Sequence, residues 1–229
     1  MTNRETAAII VAAGRGERMG GVDKMFAPLA GRLVLVRAVD TFQRCELIDR
    51  IIVVVSEKSM EKAKRLVLEQ GWSKVTDVCP GGEERWQSVA AGLGRLKDCR
   101  WVVIHDGARP LITEELIKNG LEAAKESGAA VAAVPVTDTI KLAGEDGFVM
   151  GTPPRRNLWA VQTPQVFRFD IIAEAHRAQS RLEDLATDDA LLVEKLGYKV
   201  KLYMGSYDNI KITTPGDLAL AGILLKGGD

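Results

Sequence analysis

The residues best suited to chemistry in this chain are cations set among glycines. Residues 7–24 read AAIIVAAGRGERMGGVDK, which puts Arg15, Arg18 and Lys24 beside Gly14, Gly16, Gly20 and Gly21. An apolar run that enters a turn of small residues lets backbone N–H groups approach anionic oxygens with no Cβ in the way. The cations suit a polyphosphate, whose negative charge must be offset before phosphorus is open to attack. Arg18 and Lys24 are therefore expected to face charge that develops in a phosphoryl-type transition state. The turn formed by Ala12, Ala13, Gly14, Arg15 and Gly16 is expected to cradle the nucleotide that carries it.

Other chemistries are poorly served. Cys45, Cys79, Cys99, His105 and His176 are too few for a disulfide framework and lack zinc-ligand spacing. There is no GxSxG elbow, and the glycine turn lacks the GxxxxGK[ST] spacing of a P-loop. A dinucleotide site would place an acid about 20 residues beyond its glycines. Here the second apolar run ends at Ser56 and Glu57, some forty residues on. Thirty-one basic residues balance thirty-one acidic ones across 229 positions, so no nucleic-acid partner is expected. The longest apolar runs, 7–13 and 129–136, fall far short of the ~20 residues of a membrane helix. The first residues lack the apolar core of a secretory signal. A reducing cytoplasm is the expected setting, and the four tryptophans (Trp72, Trp86, Trp101, Trp159) read as packing.

The elements that must hold the cationic turn follow from hydrophobic patterning. Near-continuous apolar runs at 7–12, 50–55, 74–78, 101–105 and 129–134 alternate with helical patterns at 34–42, 60–69, 87–95 and 114–127. Such alternation predicts one α/β domain over 1–229, a doubly wound, mostly parallel sheet. Ligands of such sheets sit at the carboxyl ends of the strands. Asp106 and Arg109 follow one strand end, and Asp106 could hold a Mg²⁺ water shell or a substrate hydroxyl. His105 reads as a hydrogen-bonded structural imidazole. Asp188 and Asp189 read as the start of a helix. Residues 138–143 and 148–152, around a Gly144–Gly147 turn, read as a β-hairpin arm spanning about 137–156. An isolated arm of this kind is marginal in water, so it is expected to bind a second copy and make a homodimer. A short strand at 209–213 and a helix from Thr214 and Pro215 to 225 complete the pattern.

AAGRGERMGGVDK resembles the opening signature of the nucleotidyltransferases with a Rossmann-like fold. GGEERWQSV (81–89), HDGARP (105–110), TPQ (163–165) and DNIKIT (208–213) follow in the order found in the methylerythritol phosphate cytidylyltransferase branch of that family. The resemblance covers residues 7–222. It implies transfer of a cytidylyl group from CTP to a polyol phosphate, in the non-mevalonate isoprenoid pathway, with Mg²⁺. It implies that Gly81, Gly82, Glu83 and Ser88 hold cytosine and ribose opposite the backbone of Ala12, Ala13 and Gly14, with Asp106 and Gly107 also at the nucleotide. For the acceptor it implies Asp106, Arg109, Thr139, Arg155, Thr163 and Lys211, with Arg155 and Lys211 joining Arg18 and Lys24 in catalysis. Asp208 is a candidate second magnesium ligand beside Asp106. Arg85 reads equally as a surface cation.

Two departures stand out. Glu83 replaces a frequent aspartate, and Asp23-Lys24-Met25 stands where the family usually has Pro-Lys-Gln. The second keeps the lysine but brings this stretch nearer to nucleotidyltransferases of other specificity. A cytidylyltransferase for another polyol phosphate, such as ribitol 5-phosphate, and a catalytically silent nucleotide-binding module are the rival readings. Lys24, Asp106 and Lys211 are all present, which speaks against the silent module.

Overall fold

A strand covered on both faces must be apolar throughout, with successive side chains entering opposite layers. The first strand, β1 (Thr6–Ala12), does this: Ala8 and Ile10 enter one core cluster, Ala7 and Ile9 the other. The computed structural model describes residues 6–14, 23–179 and 187–227. After β1 come a small hairpin, β2 (Pro28–Leu29) and β3 (Arg32–Leu33), then α1 (Val34–Arg44) and β4 (Arg50–Val55). The chain continues through α2 (Met60–Gln70), β5 (Val75–Pro80), α3 (Arg85–Leu93), β6 (Trp101–Asp106), α4 (Glu114–Ser127) and β7 (Ala129–Pro135). An arm of β8 (Leu142–Ala143) and β9 (Val149–Gly151) precedes β10 (Trp159–Arg168), α5 (Phe169–Gln179) and α6 (Asp189–Lys195). Strand β11 (Lys201–Met204) and α7 (Pro215–Lys226) close the fold.

Seven strands form the central sheet in the order β11-β7-β10-β6-β1-β4-β5. Every pairing is parallel except those of β10, which runs antiparallel to both β6 and β7. Helices α1, α2 and α4 cover one face; α3, α5 and α6 cover the other. The expected doubly wound, mostly parallel architecture is thus present. From β1 the chain winds outward to β5 and then returns to β6 on the far side of β1. That reversal opens a crevice at the carboxyl ends of β1 and β6.

Local signals fix the boundaries. Helix α4 starts where the Thr113 hydroxyl accepts from the Leu116 amide, and it stops at Gly128, whose φ of 84° is left-handed. Helix α3 begins at Arg85 rather than at residue 87. A capping box between Glu84 and Gln87 places its first turn two residues earlier than the apolar periodicity suggests. Strand β5 is likewise displaced, to Val75–Pro80 from the expected 74–78.

Three expectations need correction. Residues 209–213 are not a strand: β11 takes the sheet edge beside β7, and this segment crosses the carboxyl end of the sheet instead. There the Ile212 amide donates to the Ala108 carbonyl at 2.8 Å, while the Ile212 side chain is buried under α7 with Ala27, Leu29 and Ala221. The hairpin arm exists, but its ladder is shorter than 138–143 and 148–152. Trp159 is not core packing; it is 37% exposed near the base of the arm, whereas Trp72 and Trp101 are buried.

Candidate active site

One wall of the crevice is built from small residues at two strand ends. A Cβ on Gly81 would lie 2.5 Å from both the Ala13 Cβ and the Ser88 Oγ, so only glycine lets the β5 end close against the β1 end. The Ser88 hydroxyl accepts from the Gly82 amide at 3.2 Å and donates to the Glu84 carbonyl, which holds the loop onto the first turn of α3. Ala13, Gly14, Gly81, Gly82 and Glu83 line a cavity of about 820 Å³. Ala12, Lys24, Ser88, Asp106 and Lys211 line an adjoining cleft of about 140 Å³.

Lys24 opens a single 3₁₀ turn. The Asp23 carboxylate caps that turn by accepting from the Met25 amide at 3.0 Å, and its other oxygen accepts from the Ser59 hydroxyl at 2.9 Å. Met25 and Phe26 are buried. The Asp-Lys-Met departure therefore has a structural account: aspartate caps, methionine anchors, and lysine is left at the cleft.

Asp106, at the end of β6, is the hub. Its Oδ1 accepts from Arg85 Nε at 3.1 Å, its Oδ2 pairs with Lys211 Nζ at 2.8 Å, and Arg109 Nε lies 4.0 Å away. Burial alone would push this carboxyl up. The charges of Arg85, Lys211 and Arg109 outweigh that and hold it far below the usual carboxylate range. Lys211 reaches the hub because Asn209 and Ile212 on either side are fixed. The fully buried Asn209 amide donates to the Thr163 carbonyl at 2.8 Å and to Gln162 Oε1 at 3.2 Å. The Asn209 carbonyl accepts from Arg109 Nη1 at 2.6 Å.

Beneath the hub lies a polar chain. The Asp106 amide donates to the Thr163 hydroxyl at 3.0 Å, which lies 3.1 Å from His105 Nδ1, and His105 Nε2 lies 3.0 Å from the Arg109 carbonyl. Burial pushes the imidazole down to about 4, so it is neutral, donates from Nε2 and accepts at Nδ1. His105 is the structural imidazole expected. Thr163 lines the cavity beside Arg109 and Lys211, but its hydroxyl already accepts from the Asp106 amide and faces His105.

Lys24 and Lys211, far apart in sequence, thus share one cleft with Asp106. Arg109 and Thr163 join Asp106 and Lys211 in a neighbouring cavity of about 450 Å³. Arg15, Gly16 and Arg18 lie outside the described residues. Gly107 is buried and donates its amide to the Val11 carbonyl, so that N–H serves the sheet rather than a nucleotide. Thr139 and Arg155 line neither cavity; Arg155 is exposed and donates to the Thr137 carbonyl at 2.6 Å. Asp208 sits exposed on a turn and lines neither cavity. Arg85 is no surface cation. It pairs with Asp106 and with the buried Asp189 at 2.6 Å, a role hidden from sequence because its partners lie 21 and 104 residues away.

A family model described as 2-C-methyl-D-erythritol 4-phosphate cytidylyltransferase matches residues 6–227. The chain belongs to this family. A relative of that name from Dehalococcoides mccartyi is 55% identical over 226 residues, covering 99% of this chain and 98% of the relative. The solved 4-diphosphocytidyl-2C-methyl-D-erythritol synthase of Anaerococcus prevotii superposes with a TM-score of 0.86 at 32% identity, over 98% of this chain and 99% of that one. The 2-C-methyl-D-erythritol 4-phosphate cytidylyltransferase of Thermus thermophilus gives 0.78 at 32% identity, over 95% and 98%. Those two cytidylyltransferase structures share this chain's fold, and here the doubly wound sheet brings the carboxyl ends of β1, β5 and β6 to one crevice.

Proposed function

We propose that this enzyme transfers a cytidylyl group from CTP to 2-C-methyl-D-erythritol 4-phosphate, releasing pyrophosphate and forming the CDP-alditol, a step of non-mevalonate isoprenoid synthesis. The convergence of Lys24, Lys211 and Asp106 on one cleft beside the Ala12–Gly14 turn carries the reading. An acceptor phosphate oxygen attacks the α-phosphorus in line. One P–O bond forms, the bond to the β-phosphate breaks, and the electron pair leaves with pyrophosphate. The nucleophile is already an anion, so no covalent enzyme intermediate is needed, and catalysis rests on positioning and charge stabilisation. Lys24 and Arg18 offset charge on the triphosphate. Lys211 bridges the nucleotide phosphate and the acceptor, Arg109 holds the acceptor, and Asp106 holds Lys211 until substrate arrives.

The residues suit magnesium. Mg²⁺ keeps several waters and is held by one or two carboxylates with substrate phosphates. Asp106 supplies such a carboxylate through Oδ2 once Lys211 turns from it to substrate, while Arg85 keeps Oδ1 in place. When bound, the ion would neutralise phosphate charge; Asp106 would be its protein ligand.

Leu142, Phe148, Val149 and Met150 leave the arm apolar and exposed, Phe148 by 75% and Met150 by 77%. Burial against a second copy is the reading those side chains support, and it would let Thr139 and Arg155 complete the partner's site. No helix among the described residues is long and apolar enough to cross a membrane; a cytoplasmic homodimer is the proposed working form. Pyrophosphate release from CTP with a panel of polyol phosphates tests the function. The methylerythritol phosphate should support turnover best, and equal or better turnover with ribitol 5-phosphate would reassign the acceptor.

A further inference from the structure

Arg85 is gripped from two sides, and the far grip never reaches the cleft. Its Nε is 3.1 Å from Asp106 Oδ1, and its Nη1 is 2.6 Å from Asp189 Oδ2. Asp189 is fully buried as the first residue of α6, and its second oxygen lies 3.1 Å from Nε2 of His176, itself buried on α5. His176, Asp189, Arg85, Asp106 and Lys211 therefore form one chain of donors and acceptors that runs from the helix layer to the cleft floor. A guanidinium is a rigid plane, so fixing two of its nitrogens fixes the third and its orientation. Resting on the transfer reaction proposed above, we infer that Asp189 and His176 are positioning residues: they hold Arg85 in the pose that aligns Asp106, and through Asp106 they align Lys211.

The charge count explains why the far grip matters. Arg85, Arg109 and Lys211 all face Asp106, and Asp189 is the second carboxylate in contact with this group. Without the Asp189 charge, Arg85 has one anionic partner left and competes with Lys211 for it. The floor also becomes one unit more positive. Nucleotide binding should then hold or tighten, because the triphosphate is an anion, while the alignment that the chemical step needs is lost. Structural damage would do the reverse and raise KM.

Asp189→Asn keeps the shape and removes the charge. With CTP and methylerythritol phosphate, kcat should fall at least tenfold while KM for CTP stays level or drops. A kcat within twofold of wild type, or a fall in kcat with a matching rise in KM, overturns the positioning role. Should Asp189→Asn fail to fold, His176 carries the same test. His176→Leu should lower kcat at least threefold at constant KM, and His176→Gln, whose amide can still donate to Asp189, should recover most of the loss. Equal losses in the two His176 variants overturn the inference. Wild-type enzyme is assayed alongside: no turnover there refutes the functional reading and this role with it, whereas normal turnover with an indifferent Asp189→Asn refutes only the role.

Discussion

Lys24 shows how little a motif's wording matters when its geometry is kept. Aspartate before it caps the turn and buried methionine after it anchors the turn, so the ammonium stays at the cleft. Removing one preorganised charged contact of this kind typically costs about 10²–10³ in rate. Lys24→Ala should therefore fold with an unchanged melting curve and lose turnover by about that factor; near-wild-type kinetics would take it out of the mechanism. His105 makes a different prediction. Its imidazole is pushed down to about 4 in the fold by burial, against about 6.5 when unfolded. Between those values the unfolded chain binds a proton that the folded chain refuses. The neutral ring's contribution is thus complete above pH 6.5, is lost as pH falls toward 4, and changes no further below. At about 1.4 kcal/mol per unit the loss comes to roughly 3–4 kcal/mol. Denaturant titrations across that range should show the slope in wild type and a smaller one in His105→Gln.

Elements place these residues by caps and crossings more than by propensity. Helix α7 starts on Thr214, whose hydroxyl accepts from the Asp217 amide, and Asp217 in turn accepts from the amides and hydroxyl of Thr213 and Thr214. That box holds the segment carrying Lys211 over Ala108. Thr214→Ala should cost about 1 kcal/mol in a melt, with little change in kcat, because Ile212 and Asn209 anchor the segment independently. The central strands and α4 were legible because their apolar runs and end signals agree. Strand β10 was not: Gln162, Thr163 and Gln165 interrupt its apolar pattern, Pro164 lacks a donor, and their polar groups find partners only in folded neighbours such as Ser206 and Asp188. The site divided in the same way. Glycines near Lys24 in sequence announced a wall of the crevice, whereas Arg85 and Asp189, paired across 104 positions, left no local pattern. Asp188 and Asp189 were legible as a helix start, with Asp188 as the cap, yet the grip of Asp189 on Arg85 was not.

At the scale of the whole molecule, the arm is the feature that one chain does not satisfy. Two strands of two and three residues are too short to be stable alone in water. Phe148→Ser with Met150→Ser should shift the proposed dimer toward monomer in sedimentation and lower activity in parallel; monomeric wild type would refute the dimer. If Arg155 serves the neighbouring subunit, mixing Arg155→Ala with Lys211→Ala chains should rebuild one intact site per hybrid dimer and restore part of the activity. Strictly additive loss would place Arg155 in its own chain's site or in none. In the proposed mechanism, cations from the first crossover and from the segment before α7 meet on one nucleotide tail. A crystal structure with magnesium and a non-hydrolysable CTP analogue tests it most directly. Cytosine should lie against Gly82 and Ser88, with the phosphates between the ammonium groups of Lys24 and Lys211. Phosphates bound elsewhere, with Lys211 still paired only to Asp106, would contradict it.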